Sequence, residues 1–213
     1  MGFLGKFFGN QPPKREFSEQ EQNDYHQLKQ AGLEKALDEM GPMVGHAIIP
    51  FEAGGAVDMY YFPNHLPGTG FSTMELLDPD GNGPKPNKLG TYELVAFTNK
   101  PYSDIESAET PFNTIERHIC GLFTTIGRYA SQAVLNPLET VEIPNSDGSY
   151  SCMVLDVYNE LIIGQSTHHL LLCLEVHRSE MEFARSSGTM ALIEKLENAG
   201  YYPYSDLDRE PVV

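Results

Sequence analysis

The sequence predicts an α+β fold: a mixed, mostly antiparallel central sheet flanked by helices. Three observations carry that expectation. Residues 170–174 (LLLCL) form an uncharged run long enough for a strand and short for a helix, as expected of a strand near the middle of a sheet and covered on both faces. Ile115, Ile119, Leu122, Phe123, Ile126, Ala130 and Ala133 recur at three- and four-residue intervals, the stripe of a long helix with one deeply buried side. Internal repeats and regular βαβ alternation are both missing, which removes solenoids and doubly wound parallel sheets from consideration.

In chain order, an N-terminal arm (residues 1–16) is closed by Gln11-Pro12-Pro13 and precedes one domain, residues 17–213. A leading helix within 17–42 starts at the capping box Ser18/Glu21 and stops at Gly41-Pro42. Tyr25, Leu28, Leu33, Leu37 and Met40 supply its single apolar face. Segments 43–50, 56–62 and 70–77, separated by Gly and Pro turns, read as a β-meander, and 91–98 (TYELVAFT) as a further strand. The long helix is expected to open on a box made by Asn113 and Glu116 and to end at Asn136-Pro137. Strands follow at 139–143 and 151–158, split by the turn at 145–148. After the 170–174 strand, Ser179 and Glu182 suggest a third capping box. The helix it opens is interrupted by Gly188 and ended by Gly200. Tyr201, Tyr202 and Tyr204, with Pro203 and the acids after it, are expected to fold over the core as a strap.

Composition bounds the function. With 40% hydrophobic and 21% charged residues, and no apolar run near the length of about eighteen that a membrane span requires, the chain reads as globular and non-spanning. Fourteen Lys and Arg against 30 Asp and Glu leave a net charge of −16, which repels nucleic-acid phosphate and suits a basic protein partner. Cys120, Cys152 and Cys173 are odd in number and widely spaced, the usage of reduced core thiols. The N-terminus matches neither a secretory signal nor a myristoylation pattern, so a cytoplasmic location is expected.

Candidate chemistry is sparse. Asp78, Asp80, Asn82 and Gly83 fit the first half of a calcium loop, but Leu89 stands where the closing carboxylate belongs, and Pro84 and Pro86 intervene. His169, Cys173, Glu175 and His177 alternate along one strand and could contact zinc. Alternate strand residues stand almost 7 Å apart, however, so only neighbouring pairs could share an ion. A metal-dependent protein using His169, Cys173 and His177 is the alternative kept in view. Ser166, in Gly164-Gln165-Ser166-Thr167-His168, lacks the second glycine and the strand-to-helix setting of a nucleophile elbow. Phosphate-binding glycine loops are missing too. These residues ask for no enzymatic activity, cofactor or resident metal.

Four segments resemble, in order, parts of the suppressor-of-fused family. TYELVAFT (91–98) resembles its "ELT" strand, and Gly127-Arg128-Tyr129 the end of the following helix. Residues 170–196 are similar to its late strand and glycine-interrupted helix, and Ser205–Arg209 to its closing Asp and Arg segment. The resemblance spans about 43–211 and implies the bacterial single-domain type, with no counterpart to the second domain of the animal proteins. It implies a non-enzymatic binding protein, many relatives of this size being immunity proteins that neutralise a toxin. The partner would then be a protein or peptide, in one version a basic toxin domain. In the animal protein the domain holds a transcription-factor peptide as an added strand. Tyr129 takes the place of a tyrosine in that groove, and Glu139 or Glu142 lies near its acidic residue. A core position on the helix stripe is the other reading of Tyr129.

Overall fold

A computed structural model describes residues 17–80, 83–103, 109–145 and 147–213. The arm, 1–16, and Gly81 and Asn82 of the calcium-like loop lie outside the described residues. Helix α1 (Glu19–Leu37) leads into strands β1 (Val44–Gly45), β2 (Met59–Phe62), β3 (Thr69–Ser72) and β4 (Tyr92–Thr98). Helix α2 (Pro111–Ala130) is followed by β5 (Thr140–Pro144), β6 (Tyr150–Ile163) and β7 (Ser166–Val176). Two short helices, α3 (Arg178–Ser187) and α4 (Thr189–Ala199), complete the order.

The strands make one seven-stranded sheet ordered β1-β2-β3-β4-β7-β6-β5. Only β4 and β7 run parallel; the other pairings are antiparallel. The expected mixed, mostly antiparallel α+β sheet is therefore present, and β7 lies inside it with helices on both faces. Strand alternation divides the core in two. Val95, Phe97, Leu170, Leu172 and Leu174 pack beneath α1, α3 and α4, while Tyr92, Leu94, Leu171 and Cys173 pack beneath α2. The Tyr201, Tyr202 and Tyr204 rings lean on the first cluster, as the strap reading expected.

Several local expectations are corrected. Ser18 and Glu21 do form a capping box, but α2 starts earlier than Asn113: Thr110 is its N-cap, its hydroxyl accepting from Asn113 N at 3.1 Å, with Pro111 in the first turn. Glu116 is instead engaged by the Tyr61 hydroxyl. Ala133 falls beyond the end of α2. The Ser179/Glu182 box is displaced as well, for His177 caps α3 and the Glu180 carboxylate accepts its N–H at 2.8 Å. Glu180 is drawn inward because it also accepts from Arg209 Nη1 at 2.6 Å, Arg209 Nη2 at 2.9 Å and Val212 N at 2.9 Å, which fastens the C-terminal strap. Gly188, at φ 99°, divides one expected helix into α3 and α4. In α1, Leu28 is exposed and Lys29 occupies the inward position. Its ammonium donates to the Met74 and Leu77 carbonyls and to Glu93 Oε1 at 3.1 Å.

Candidate functional site at the β5 edge

β5 ends the sheet, and its pairing with β6 fixes which backbone groups remain open. Leu155 N donates to Glu139 O at 2.9 Å and Asn145 N to Ser149 O at 2.8 Å, so odd-numbered residues bond β6. The N–H and C=O groups of Thr140 and Glu142 therefore point away from the sheet, and no described residue bonds them. Leu138, at φ 68°, donates to Leu155 O at 2.7 Å, and its own carbonyl accepts from the Thr189 hydroxyl at 2.7 Å. These bonds pin the start of the strand to β6 and α4.

Beside this edge is a groove of about 440 Å³ between the last turns of α2 and β5. Ile126 and Leu135 form its buried floor, Val141 and Ile143 its sheet-side wall, and Tyr129 and Val134 its exposed rim. Tyr129 is 53% exposed, so the core reading of that side chain fails: α2 turns it past the buried stripe into the groove. Glu139 and Glu142 line the same groove, so all three residues expected at a partner site come together.

Their chemistry differs from that of free acids. The Glu139 carboxylate accepts from Asn136 N at 3.0 Å and Asn136 Nδ2 at 2.9 Å, closing the turn that precedes β5. Glu142 accepts from Arg178 Nη2 at 2.7 Å and from Arg185 Nη1 and Nη2 at 3.3 Å. The bond from Arg178, with Arg185 beside it, holds the Glu142 carboxyl below the usual carboxylate range. Local charge at this edge is thus close to balanced although the chain as a whole is strongly acidic.

The fold is that of suppressor of fused. The chain superposes on the crystal structure of the Sufu–Fu complex with a TM-score of 0.56 at 18% identity, over 87% of this chain and 90% of that one. Drosophila suppressor of fused matches with a TM-score of 0.47 at 19% identity, over 70% of this chain and 41% of that chain. No protein-family model matches the sequence, and no curated protein does.

The residues of the metal alternative are separated by this suppressor-of-fused fold. His169 Nε2 meets Asn87 Nδ2 at 3.1 Å with its ring against Tyr92. Cys173 is buried among apolar side chains, which pushes its thiol pKa up. Glu175 bonds His118 Nε2 at 2.7 Å, and His177 Nε2 bonds Arg209 O at 2.8 Å. Among the described residues no three His, Cys, Asp or Glu side chains are grouped to hold an ion, which overturns the His169/Cys173/His177 reading. No described helix is long and apolar enough to cross a membrane. Sequence reasoning missed Val141 and Ile143 as groove wall, although their alternation with Thr140 and Glu142 is the signal that marks them.

Proposed function

We propose that this chain is a non-enzymatic, cytoplasmic binding protein that captures a partner polypeptide by accepting an extended segment beside β5. The observation that carries this is the outward row of Thr140 and Glu142 backbone groups next to a groove rimmed by exposed Tyr129. An open edge supplies main-chain hydrogen bonds, and adjacent side-chain pockets supply selectivity. The likeness to a protein solved in complex with Fu supports a protein partner. A basic toxin domain, neutralised by being bound, is the partner proposed, and the net charge of −16 would speed its approach.

The test is capture of the toxin encoded beside this gene by purified protein, with cell protection as the second readout. Glu142→Pro deletes the outward N–H while leaving the β6 ladder, and Glu142→Ala removes only the carboxylate. An unmet hydrogen bond costs about 1–3 kcal/mol, so Glu142→Pro should weaken binding about tenfold or more, and Tyr129→Ala comparably, with Glu142→Ala milder. Binding indifferent to Glu142→Pro and Tyr129→Ala would refute the β5 site.

A further inference from the structure

The outward groups of β5 are complementary to themselves. Thr140 and Glu142 each hold out one N–H and one C=O, while Val141 and Ile143 bond β6. A two-fold axis through Val141 brings a second copy's β5 against this edge in antiparallel order. Thr140 then stands opposite the second copy's Glu142, and Glu142 opposite its Thr140. Each such pair exchanges two N–H to O=C bonds, so every outward group of both strands is used. The neighbouring two-fold registers do worse. Centring on Thr140 sets Glu142 against Leu138, whose N–H is held by Leu155 O and whose carbonyl accepts from Thr189. Centring on Glu142 sets Thr140 against Pro144, which has no N–H, and puts the two Glu142 side chains directly opposite each other.

We infer that two copies of this chain pair through their β5 edges, Thr140 to Glu142 about an axis at Val141, and that the pair withholds the edge from other segments. The pairing rests on the open β5 edge already proposed for partner capture. Local charge suits this register. Arg185 Nε donates to Thr140 Oγ1 at 3.1 Å, so a Glu142 carboxylate lying across from the second copy's Thr140 gains that copy's Arg185 as a neighbour. On the other face of the sheet the two Val141 side chains meet at the axis, flanked by the exposed Tyr129 and Val134. The opposite end of the sheet offers no equivalent, for β1 is two residues long.

At long range charge acts the other way. Each copy carries a net charge of −16, so two copies repel, and added salt screens that repulsion. A strand pair this short belongs with the small, weak interfaces, and dimers are expected at about 10–100 μM protein. Salt therefore separates the two occupants of β5. A basic partner meets the edge more slowly as salt rises, whereas a second copy pairs more readily. Because both use the same N–H and C=O groups, partner capture must dissolve the pair.

The experiment is sedimentation of the purified full chain from about 1 to 500 μM, in low salt and in about 500 mM sodium chloride. A reversible monomer–dimer equilibrium is expected, at least about threefold tighter in the higher salt. Glu142→Pro enters a two-fold interface twice, so it should weaken the dimer by about the square of a tenfold loss, roughly a hundredfold. Glu142→Ala keeps the N–H and should cost less. Crosslinking with diamide, which oxidises two thiols to a disulfide, reads the register and serves if Glu142→Pro unfolds. Val141→Cys places the thiols at the axis, where opposed Cα atoms stand about 4.5 Å apart, within disulfide reach. Ile143→Cys places them roughly 13 Å apart along the strands, out of reach. Crosslinked dimer from Val141→Cys alone is expected, with the wild-type chain and its three cysteines as the blank. A chain still monomeric at 500 μM in high salt, a dimer indifferent to Glu142→Pro, or equal crosslinking of the two cysteine variants overturns self-pairing and leaves partner capture at β5 standing. A dimer that meets these tests yet persists with saturating toxin bound refutes capture at β5 and leaves self-pairing standing.

Discussion

Replacing Lys29 by methionine tests what fastens α1 to the sheet. The side chain is 3% exposed, and its ammonium bridges two carbonyls of the 74–77 turn and Glu93, itself fully buried in β4. Methionine keeps the apolar stem but strands the Glu93 carboxylate, whose remaining donors are Thr73 Oγ1 at 2.7 Å, Leu76 N at 3.3 Å and Leu77 N at 3.0 Å. Removing one partner of a buried ion pair costs about 3–5 kcal/mol. The three surviving donors argue for the lower half of that range, while the two abandoned carbonyls push upward. A loss of about 3–4 kcal/mol is therefore expected, a large part of the roughly 5–15 kcal/mol that holds a domain together. Equilibrium urea unfolding at pH 7 measures it. Adding Glu93→Gln to Lys29→Met should recover more than about 1 kcal/mol relative to the sum of the single losses, because the stranded charge is then gone. A Lys29→Met loss below about 1 kcal/mol, or strict additivity with Glu93→Gln, would refute the account.

Three further outcomes are expected. Glu75 has a folded pKa of about 8 against a usual 4.5, so its contribution is complete below 4.5 and disappears as pH rises through 8. Unfolding measured from pH 5 to pH 9.5 should show a loss of up to about 5 kcal/mol that Glu75→Gln flattens; parallel profiles would count against it. The bond to Glu175 raises the His118 pKa above 6.5, so this pair supports the fold below that pH and loses its effect as pH climbs past the raised value. Nuclear magnetic resonance titration should place the His118 midpoint above 6.5 and Glu175→Gln should bring it down; a wild-type midpoint at or below 6.5 contradicts the pairing. Gly32→Ala should destabilise by about 1–3 kcal/mol despite alanine's better helix propensity, because the added Cβ would stand 2.3 Å from Ile162 O, and an unchanged melting temperature would contradict that packing.

What could be read from the sequence was whatever depends on local periodicity. The uncharged run in β7 and the stripe of α2 each announced an element, and the glycine and proline turns separated the meander. Cap positions were harder, because Thr110 and Asn113 both stand near the start of α2 and only the backbone path chooses between them. Strand lengths were underread for a related reason. β6 continues through exposed Asn159 and Glu160, held by pairing to β7 and not by apolar pattern. Lys29 was invisible because a charged residue on an apolar stripe looks like a face boundary until a buried acid 64 positions away is placed beside it. Tyr129, Glu139 and Glu142 were brought forward by family resemblance, and the groove joins them; the two arginines that occupy Glu142 come from α3, beyond the reach of any local pattern.

The two ends of the sheet are protected in different ways, and the difference limits what β5 can hold. β1 has two residues, too short to template another strand. β5 has five, but Pro144 occupies an even-numbered, outward position and carries no N–H. Outward donors within the strand are therefore confined to Thr140 and Glu142, and a segment added there can pair over only about four residues before the proline stops it. Side chains of that segment lying alongside Val141 and Ile143 would enter the apolar groove under Tyr129. Those alongside Thr140 and Glu142 would meet Arg178 and Arg185. On the proposed β5 docking, the favoured segment would be short, with apolar or aromatic residues alternating with polar ones. Long-range attraction would then act through the net charge of the whole chain, and local docking through the alternating pattern of the segment. Added salt should slow association through loss of steering while leaving the alternating selectivity at β5 largely intact.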